Sequence, residues 1–256
     1  MQAVILAGGR GTRISEESLV RPKPLIEIGG KPIIWHIMKN YSHYGINEFI
    51  ICCGYKAELV KEYFANFGLY SSDITVDIKS KKIVFHKKKL EDWKITLIDT
   101  GVETQTGGRI RRVKKYLKDT FCLTYGDGLS DVNIGKTIEF HKKKNKLATI
   151  TTVQPAGRFG AVNIKNSLVN KFVEKPIGDG GWINAGFFVL NKKVIDFIKD
   201  DNSVWEKKPL MILSQKKQLA AYKHKSFWHP MDTLRDKEHL EKLWNSKRCP
   251  WKIWND

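Results

Sequence analysis

QAVILAGGRGTR, residues 2–13, is the stretch that decides the predicted fold. Residues 2–7 alternate too little for a half-exposed strand and are typical of a buried strand in a parallel sheet. The glycines that follow allow backbone conformations that other residues resist, so successive amide N–H groups can face an anion. Arg13 and, ten residues later, Lys23 add positive charge. This combination predicts a strand followed by a loop that grips a triphosphate.

The loop differs from the two best-known nucleotide-binding loops. It matches neither G-x-x-x-x-G-K-[ST] nor G-x-G-x-x-G followed by an acidic residue. A glycine-rich loop that binds no phosphate is the alternative on pattern alone. Arg13 and Lys23 favour the phosphate-binding interpretation, because a loop without an anion has no need of them.

Composition limits the classes of protein. The 256 residues are 41% hydrophobic, enough for one substantial core, and 45 Lys+Arg against 27 Asp+Glu leave a net charge of +18. Only nine of those cations are arginine, and no nucleic-acid-binding module is recognisable. We therefore expect a solvated, anion-steering surface and no nucleic-acid partner. A lysine-rich nucleic-acid binder is the least favoured alternative.

Cysteine usage and hydropathy indicate the compartment. The four cysteines, at positions 52, 53, 122 and 249, form no C-x-x-C pair and are expected to be reduced, mainly buried thiols. No apolar run approaches the ~20 residues of a membrane helix, and the amino terminus lacks a charged leader region. We expect a cytoplasmic protein that does not bind membranes.

Apolar patterning predicts alternating strands and helices. The predicted strands are 2–7, 49–53, 74–78, 83–85, 93–98, 121–125, 148–153, 161–164, 168–173, 182–190 and 219–222. The predicted helices are 32–44, 56–67, 109–117, 134–144, 192–199, 209–217 and 233–244. This order implies an α/β fold of Rossmann-like type, with a mainly parallel or mixed central sheet and helices on both faces. We expect one domain, 1–256, with a β-hairpin insertion at about 70–92 and a C-terminal helical appendage at about 233–256.

Two aspartates are candidate metal ligands. Asp127, in Tyr-Gly-Asp-Gly, and Asp232, in Pro-Met-Asp-Thr, each lie where an apolar segment meets a turn. Two carboxylates together with phosphate oxygens and waters suit Mg²⁺, the one cofactor we expect. The alternatives are an Asx turn for Asp127 and capping of the helix near Thr233 by Asp232.

The motifs together resemble a known family. A-G-G-x-G-T-R with the later P-K-P is similar to the signature loop of the sugar-phosphate nucleotidylyltransferases, which join a nucleoside triphosphate to a sugar 1-phosphate. E-K-P at 174–176 and N-A-G at 184–186 resemble that family's sugar-phosphate pocket. T-G-G-R at 106–109 looks like the glucose-1-phosphate cytidylyltransferases in particular. That similarity extends through segments 29–33, 49–56, 157–161, 227–236 and 250–252.

The resemblance implies a fold, a reaction and an assembly. The fold is that of the nucleotide-diphospho-sugar transferases. The reaction is transfer of a cytidylyl group from CTP to α-D-glucose 1-phosphate, giving CDP-glucose and pyrophosphate, with Mg²⁺ and without a covalent enzyme intermediate. The product would feed deoxysugar synthesis for lipopolysaccharide O-antigen, and the assembly would be a homohexamer.

The resemblance also assigns site residues. Arg13 and Lys23 are the catalytic cations, and Asp127 and Asp232 hold the metal. The nucleotide-binding residues are Leu6, Ala7, Gly8, Gly9, Gly11, Thr12, Thr104, Arg109 and Gly126. The sugar-phosphate-binding residues are Gly160, Glu174, Lys175 and Asn184. An isolated Lys175 would otherwise be interpreted as a surface lysine before a turn proline.

Base choice has a physical rationale. Cytosine offers acceptors at O2 and N3, whereas uracil carries a proton on N3, so an arginine that donates to both atoms favours CTP. Arg109 is the candidate, because it lies in the segment that diverges from uridylyl enzymes; the alternative is an arginine at a helix start, held by solvent.

Two other functions stay open at this stage. One is a nucleotidylyltransferase of another base or sugar specificity, using UTP, dTTP or GTP, which would share every catalytic assignment. The other is a non-catalytic regulatory protein that binds a nucleotide sugar. Such a protein would be expected to have lost Arg13, Lys23 or an aspartate, and all are present.

Overall fold

A seven-stranded mixed sheet forms the centre of the computed structural model, which describes residues 1–86, 90–155, 161–174, 181–246 and 249–255. Across the sheet the strands are β14 (Leu219–Lys223), β10 (Ala148–Val153), β13 (Ile183–Asn191), β8 (Thr120–Tyr125), β1 (Ala3–Leu6), β4 (Glu48–Cys53) and β7 (Lys94–Asp99). The predicted α/β class with a mixed central sheet is confirmed.

Strand direction determines which residues meet at the edge of the sheet. β1 pairs in parallel with both β4 and β8, and β13 runs antiparallel to both of its neighbours, β8 and β10. The carboxyl ends of the parallel strands therefore lie at one edge, where β13 begins. Ligands of open α/β sheets bind in the crevice outside those carboxyl ends.

Helices cover both faces of the sheet. They are α1 (Ser15–Ser18), α2 (Ile33–His43), α3 (Ala57–Ala65), α4 (Phe67–Ser71), α5 (Thr106–Arg112), α6 (Ile134–Lys144), α7 (Lys208–Gln215) and α8 (Leu234–Asn245). Alternate residues of β1 enter two separate cores: Ala3 and Ile5 join the core that includes α2 and α8, and Val4 and Leu6 join the core that includes α5 and α7. Burial on both faces explains why the strand is apolar throughout.

In the part of the chain that the structure describes, four short strand pairs lie outside the central sheet. They are β2 (Glu27–Ile28) with β3 (Lys31–Pro32), β5 (Ile74–Asp77) with β6 (Lys82–Phe85), β9 (Gly128–Ser130) with β15 (Trp228–Pro230), and β11 (Ala161–Lys165) with β12 (Leu168–Val173). The β5–β6 hairpin lies within the predicted insertion, and β11–β12 is the second predicted hairpin. β9 and β15 are not among the predicted strands.

Two helix predictions need correction. α5 begins at Thr106, three residues before the predicted start, and ends at Arg112, and a separate 3₁₀ turn covers Lys114–Tyr116. Its glycines, Gly107 and Gly108, are poor helix formers, but their α-carbons lie against the backbone of Ser203 and Asp201, where a Cβ would clash at 2.6 and 2.4 Å. Tertiary packing thus overrides local propensity. The predicted helix 192–199 is instead a 3₁₀ helix, Lys192–Phe197.

The cysteine side chains are as the sequence predicts, free and mainly buried. Cys52, Cys53 and Cys122 are buried and free, and Cys249 is free and half-buried. Among the described residues, no helix combines the length and apolar character needed to cross a membrane.

The carboxyl-terminal segment packs on the body, as two tryptophans in it suggest. Trp251 and Trp254 are buried, and both contact the ring of His36 on α2. His36 Nε2 donates to the carbonyl oxygen of Ile28 at 2.8 Å, and its Nδ1 accepts from Trp251 Nε1 at 3.3 Å. The imidazole is therefore neutral and anchors the chain end to the first core.

Burial of His36 makes stability depend on pH. Burial lowers its pKa from 6.5 to about 4. Between these values the unfolded chain binds more protons than the folded protein, so the free energy of unfolding falls as the pH decreases. We expect this residue to contribute a loss of about 2 kcal/mol between pH 7 and pH 5. Urea denaturation at both pH values measures it. In His36→Gln, whose side chain does not titrate, the free energy of unfolding should fall by about 2 kcal/mol less over that range. Equal falls in the two proteins would contradict the assignment.

Candidate active site

A cavity of about 480 Å³ opens at the carboxyl ends of β1 and β8. It collects the predicted catalytic, nucleotide-binding and metal residues from four distant parts of the chain: Leu6, Ala7, Gly8, Gly9, Gly11, Thr12, Arg13, Lys23, Thr104, Arg109, Gly126, Asp127 and Asp232. The remaining lining residues are Arg10, Pro24, Val102, Glu103, Gln105, Thr106, Tyr125 and Glu206.

Two glycines of the loop are required by their surroundings. A Cβ on Gly8 would lie 2.0 Å from a guanidinium nitrogen of Arg109, so only glycine allows this approach. Gly11 has a φ of +67°, in the left-handed region that favours glycine, and it precedes the 3₁₀ turn Thr12–Ile14. The loop therefore turns sharply and leaves room for a large buried cation beneath it.

The guanidinium of Arg109 supports the loop from below. One terminal nitrogen donates to the carbonyl oxygen of Gly8 at 3.0 Å and to that of Val102 at 3.2 Å. The other donates to Thr100 Oγ1 at 2.7 Å and to the carbonyl oxygens of Gly101 and Cys53 at 2.8 and 3.1 Å. Reading a base would require it to exchange one of these acceptors for the cytosine. The base-reading role stays a prediction, and the structure adds a loop-supporting role that the sequence pattern does not reveal.

Lys23 forms ion pairs with both candidate metal ligands. Its Nζ donates to Asp127 Oδ2 and to Asp232 Oδ1, each at 2.7 Å, and its side chain is 12% exposed. Arg13, which is exposed to the cavity, donates to the other oxygen of Asp232 at 2.6 Å. Two carboxylates and two cations thus meet beside the glycine loop, although Asp127 and Asp232 are 105 residues apart in the chain.

A backbone connection brings the two acids together. β9 follows Asp127 and pairs antiparallel with β15, which precedes Asp232, with Gly128 opposite Pro230. The amide of Met231 donates to the carbonyl oxygen of Asp127 at 2.8 Å. The spacing of the acids is therefore set by main-chain hydrogen bonds.

Capping by Asp232 is excluded by the start of α8. Thr233 is the N-cap, and it forms a capping box with Asp236. Both carboxylate oxygens of Asp232 face the cations of the cavity instead.

The donor set fits a hard divalent cation. Mg²⁺ is bound in proteins by one or two carboxylates plus substrate phosphates and waters, and here two carboxylates lie within reach of one ammonium group. Among the described residues, no group of three or more His, Cys, Asp and Glu side chains is arranged to hold a metal ion. A site completed by the phosphates of a nucleotide is consistent with both observations.

The predicted sugar-phosphate residues are only partly described. Asn184, at the start of β13, donates from Nδ2 to the hydroxyl of Tyr125 at 3.0 Å, and Tyr125 lines the cavity. Glu174 follows β12 and is not among the lining residues. Gly160 and Lys175 lie outside the described residues, as does most of segment 157–161.

Sequence reasoning missed Thr106, Tyr125 and Glu206 as lining residues. Tyr125 directly precedes the Gly-Asp pair, which is a signal that could have identified it. Thr106 is the first residue of α5 and of the T-G-G-R motif that contains Arg109. Glu206 stands in Trp-Glu-Lys-Lys-Pro, where no pattern separates it from a surface acid.

Comparisons with known proteins establish the family of the chain. The nucleotidyl transferase family model matches residues 2–256. Glucose-1-phosphate cytidylyltransferase of Salmonella typhimurium is 56% identical over 256 residues, covering 99% of this chain and 100% of that protein. Mannose-1-phosphate guanyltransferase of Yarrowia lipolytica is 30% identical and covers 94% of this chain and 62% of that protein. The crystal structure of HddC from Yersinia pseudotuberculosis has a TM-score of 0.70 at 25% identity, over 95% of this chain and 99% of that one. The chain belongs to the nucleotidyl transferase family.

Proposed function

We propose that this protein transfers a cytidylyl group from CTP to α-D-glucose 1-phosphate, forming CDP-glucose and pyrophosphate. The observation that carries the proposal is the meeting of the glycine loop, Lys23, Arg13 and two carboxylates in one cavity. The choice of substrates is supported by 56% identity, over the whole chain, to an enzyme of that name.

Electrostatics would dominate the chemistry. Amides of the glycine loop would bind the polyphosphate, and Arg13 and Lys23 would neutralise the charge that develops on the leaving pyrophosphate. The phosphate oxygen of the sugar phosphate is already ionised, so it can attack the α-phosphorus in line without a strong general base. Direct transfer of this kind leaves no covalent enzyme intermediate.

Asp127 and Asp232 would hold Mg²⁺ in this mechanism. The ion, when bound, supplies positive charge that stabilises the phosphate oxygens. Lys23 and Arg13 form ion pairs with these carboxylates, so the two side chains would compete with the metal ion for the acids.

A coupled pyrophosphate assay tests the proposal. It crosses CTP, UTP, dTTP and GTP with several sugar 1-phosphates in the presence of Mg²⁺. The proposal is supported if pyrophosphate release has its highest kcat/KM with the pair CTP and glucose 1-phosphate. A preference for another pair assigns a different specificity within the family, and no release with any pair favours the regulatory, non-catalytic alternative.

Arg109 is the proposed reader of the base. In Arg109→Ala, we expect the ratio of kcat/KM for CTP to that for UTP to fall about tenfold, since loss of a donor pair is equivalent to ~1.4 kcal/mol of discrimination. The measurement is the same assay with both triphosphates. Equal falls in kcat/KM for CTP and UTP would mean that Arg109 acts only by supporting the backbone, through its hydrogen bonds to the carbonyl oxygens of Gly8 and Gly101.

We also propose a cytoplasmic homohexamer whose product serves deoxysugar synthesis for O-antigen. The family resemblance supports the assembly. The exposed apolar side chains of the β11–β12 hairpin, such as Ile164 and Phe172, are consistent with a contact between subunits. Sedimentation velocity of the purified protein tests it, and a monomer at micromolar concentration would contradict it.

A further inference from the structure

We propose that Glu206 is a positioning residue that couples the nucleotide side of the cavity to Asn184 on the sugar-phosphate side. The inference rests on the proposed function, because it assigns Asn184 to the acceptor pocket. It follows from a chain of hydrogen bonds that joins three residues lining the cavity, Thr106, Glu206 and Tyr125, to Asn184.

The carboxylate of Glu206 is the centre of this chain. Oε2 accepts from the hydroxyl of Thr106 at 2.6 Å, and Oε1 accepts from the hydroxyl of Tyr125 at 2.5 Å. Thr106 begins α5, and its Oγ1 also accepts from the amide of Trp205, next to Glu206 in the chain. The carboxylate is thus fixed to the helix that carries Arg109.

Tyr125 links Glu206 to Asn184 through its hydroxyl group. Its hydroxyl donates to Glu206 and accepts from Asn184 Nδ2 at 3.0 Å. Because an ionised carboxylate only accepts hydrogen bonds, the phenol is the donor in the bond to Glu206.

Asn184 is held from both ends of its amide. Its Oδ1 accepts from the amide of Gly186 at 2.8 Å, while Nδ2 donates to Tyr125. Gly186 has a φ of +81°, and a Cβ there would lie 2.5 Å from the ring of Tyr125, so glycine is required for the ring to pack on this backbone. Nδ2 carries a second N–H beside the one given to Tyr125, and the direction of that N–H depends on Tyr125.

The location of these side chains favours a role in positioning the substrate over a role in the stability of the fold. Thr106, Tyr125 and Glu206 all line the cavity, and Glu206 is exposed rather than buried in a core. Losing the chain should therefore disturb binding of the acceptor more than folding.

The test is the kinetics of Tyr125→Phe, which removes the hydroxyl and keeps the ring. We expect the KM for the sugar 1-phosphate to rise about tenfold, while the KM for the triphosphate changes less than about twofold and the Tm is unchanged. Glu206→Gln, which keeps one acceptor oxygen, should raise the acceptor KM about threefold. Tyr116→Phe, on an exposed tyrosine away from the cavity, is the matched control and should leave both KM values unchanged.

A double variant checks that the residues act as one unit. Because Tyr125 and Glu206 share one hydrogen bond, Tyr125→Phe with Glu206→Gln should be no worse than Tyr125→Phe alone. An unchanged acceptor KM in Tyr125→Phe, or equal rises in both KM values with a fall in Tm, would overturn the inference. Inactivity of the wild-type protein with every substrate pair would instead overturn the proposed function, together with the inference that rests on it.

Discussion

Asp127→Asn and Asp232→Asn should each lower kcat by about 1,000-fold, the scale associated with removing one preorganised electrostatic contact at a reacting phosphate. Each change keeps the size of the side chain and removes one negative charge from the pair that faces Lys23. Pyrophosphate release under saturating substrates measures the effect on kcat. Binding of Mn²⁺ with CTP, followed by electron paramagnetic resonance, should weaken in parallel.

The control for this prediction is Asp196→Asn, on an exposed aspartate outside the cavity whose ion pair with Lys114 is long, at 3.8 Å. It should leave kcat within about twofold of the wild type, because exposed ion pairs contribute little. If the two cavity variants retained wild-type kcat and Mn²⁺ binding, the metal assignment would be wrong.

Lys23→Met should separate metal binding from catalysis. We expect kcat/KM for the triphosphate to fall about 100- to 1,000-fold, because a cation that stabilises the leaving group is lost. In the absence of nucleotide, however, Mn²⁺ should bind more tightly than to the wild type. The ammonium group bridges both carboxylates at 2.7 Å, and without it they repel each other and attract a divalent cation.

Lys23→Arg is the comparison that tests charge alone. Arginine keeps the positive charge, so the metal-binding gain should disappear, whereas the planar guanidinium does not reproduce the contacts of the ammonium and catalysis should stay impaired. Titration of both variants with Mn²⁺ supplies the result. Weaker nucleotide-free metal binding by Lys23→Met would show that the lysine does not compete with the ion.

The sequence predicts the local parts of the site well. β1 and its glycine loop are visible because an apolar run, glycines and cations are adjacent in the chain. Asp127 is likewise predictable, since a carboxylate after a central strand lies at the ligand-binding edge. Both signals are contained within about ten residues.

The non-local parts were not predictable from local patterns. β9 and β15 contain three residues each, too few for a period-two signal, yet their pairing places Asp232 beside Asp127. Apart from Thr100 Oγ1, the acceptors named for Arg109 are main-chain carbonyls, which carry no signature in the side chains. Glu206 depends on Thr106, 100 residues away, so its role appears only after the chain has folded.

The late position of Asp232 has a consequence for protein synthesis. The ribbon of β9 and β15 cannot form until residues 228–230 have been made, and Asp232 is made 105 residues after Asp127. A nascent protein therefore has the phosphate loop long before it has the second acid. Catalysis that needs both acids can therefore begin only after residue 232 has been synthesised.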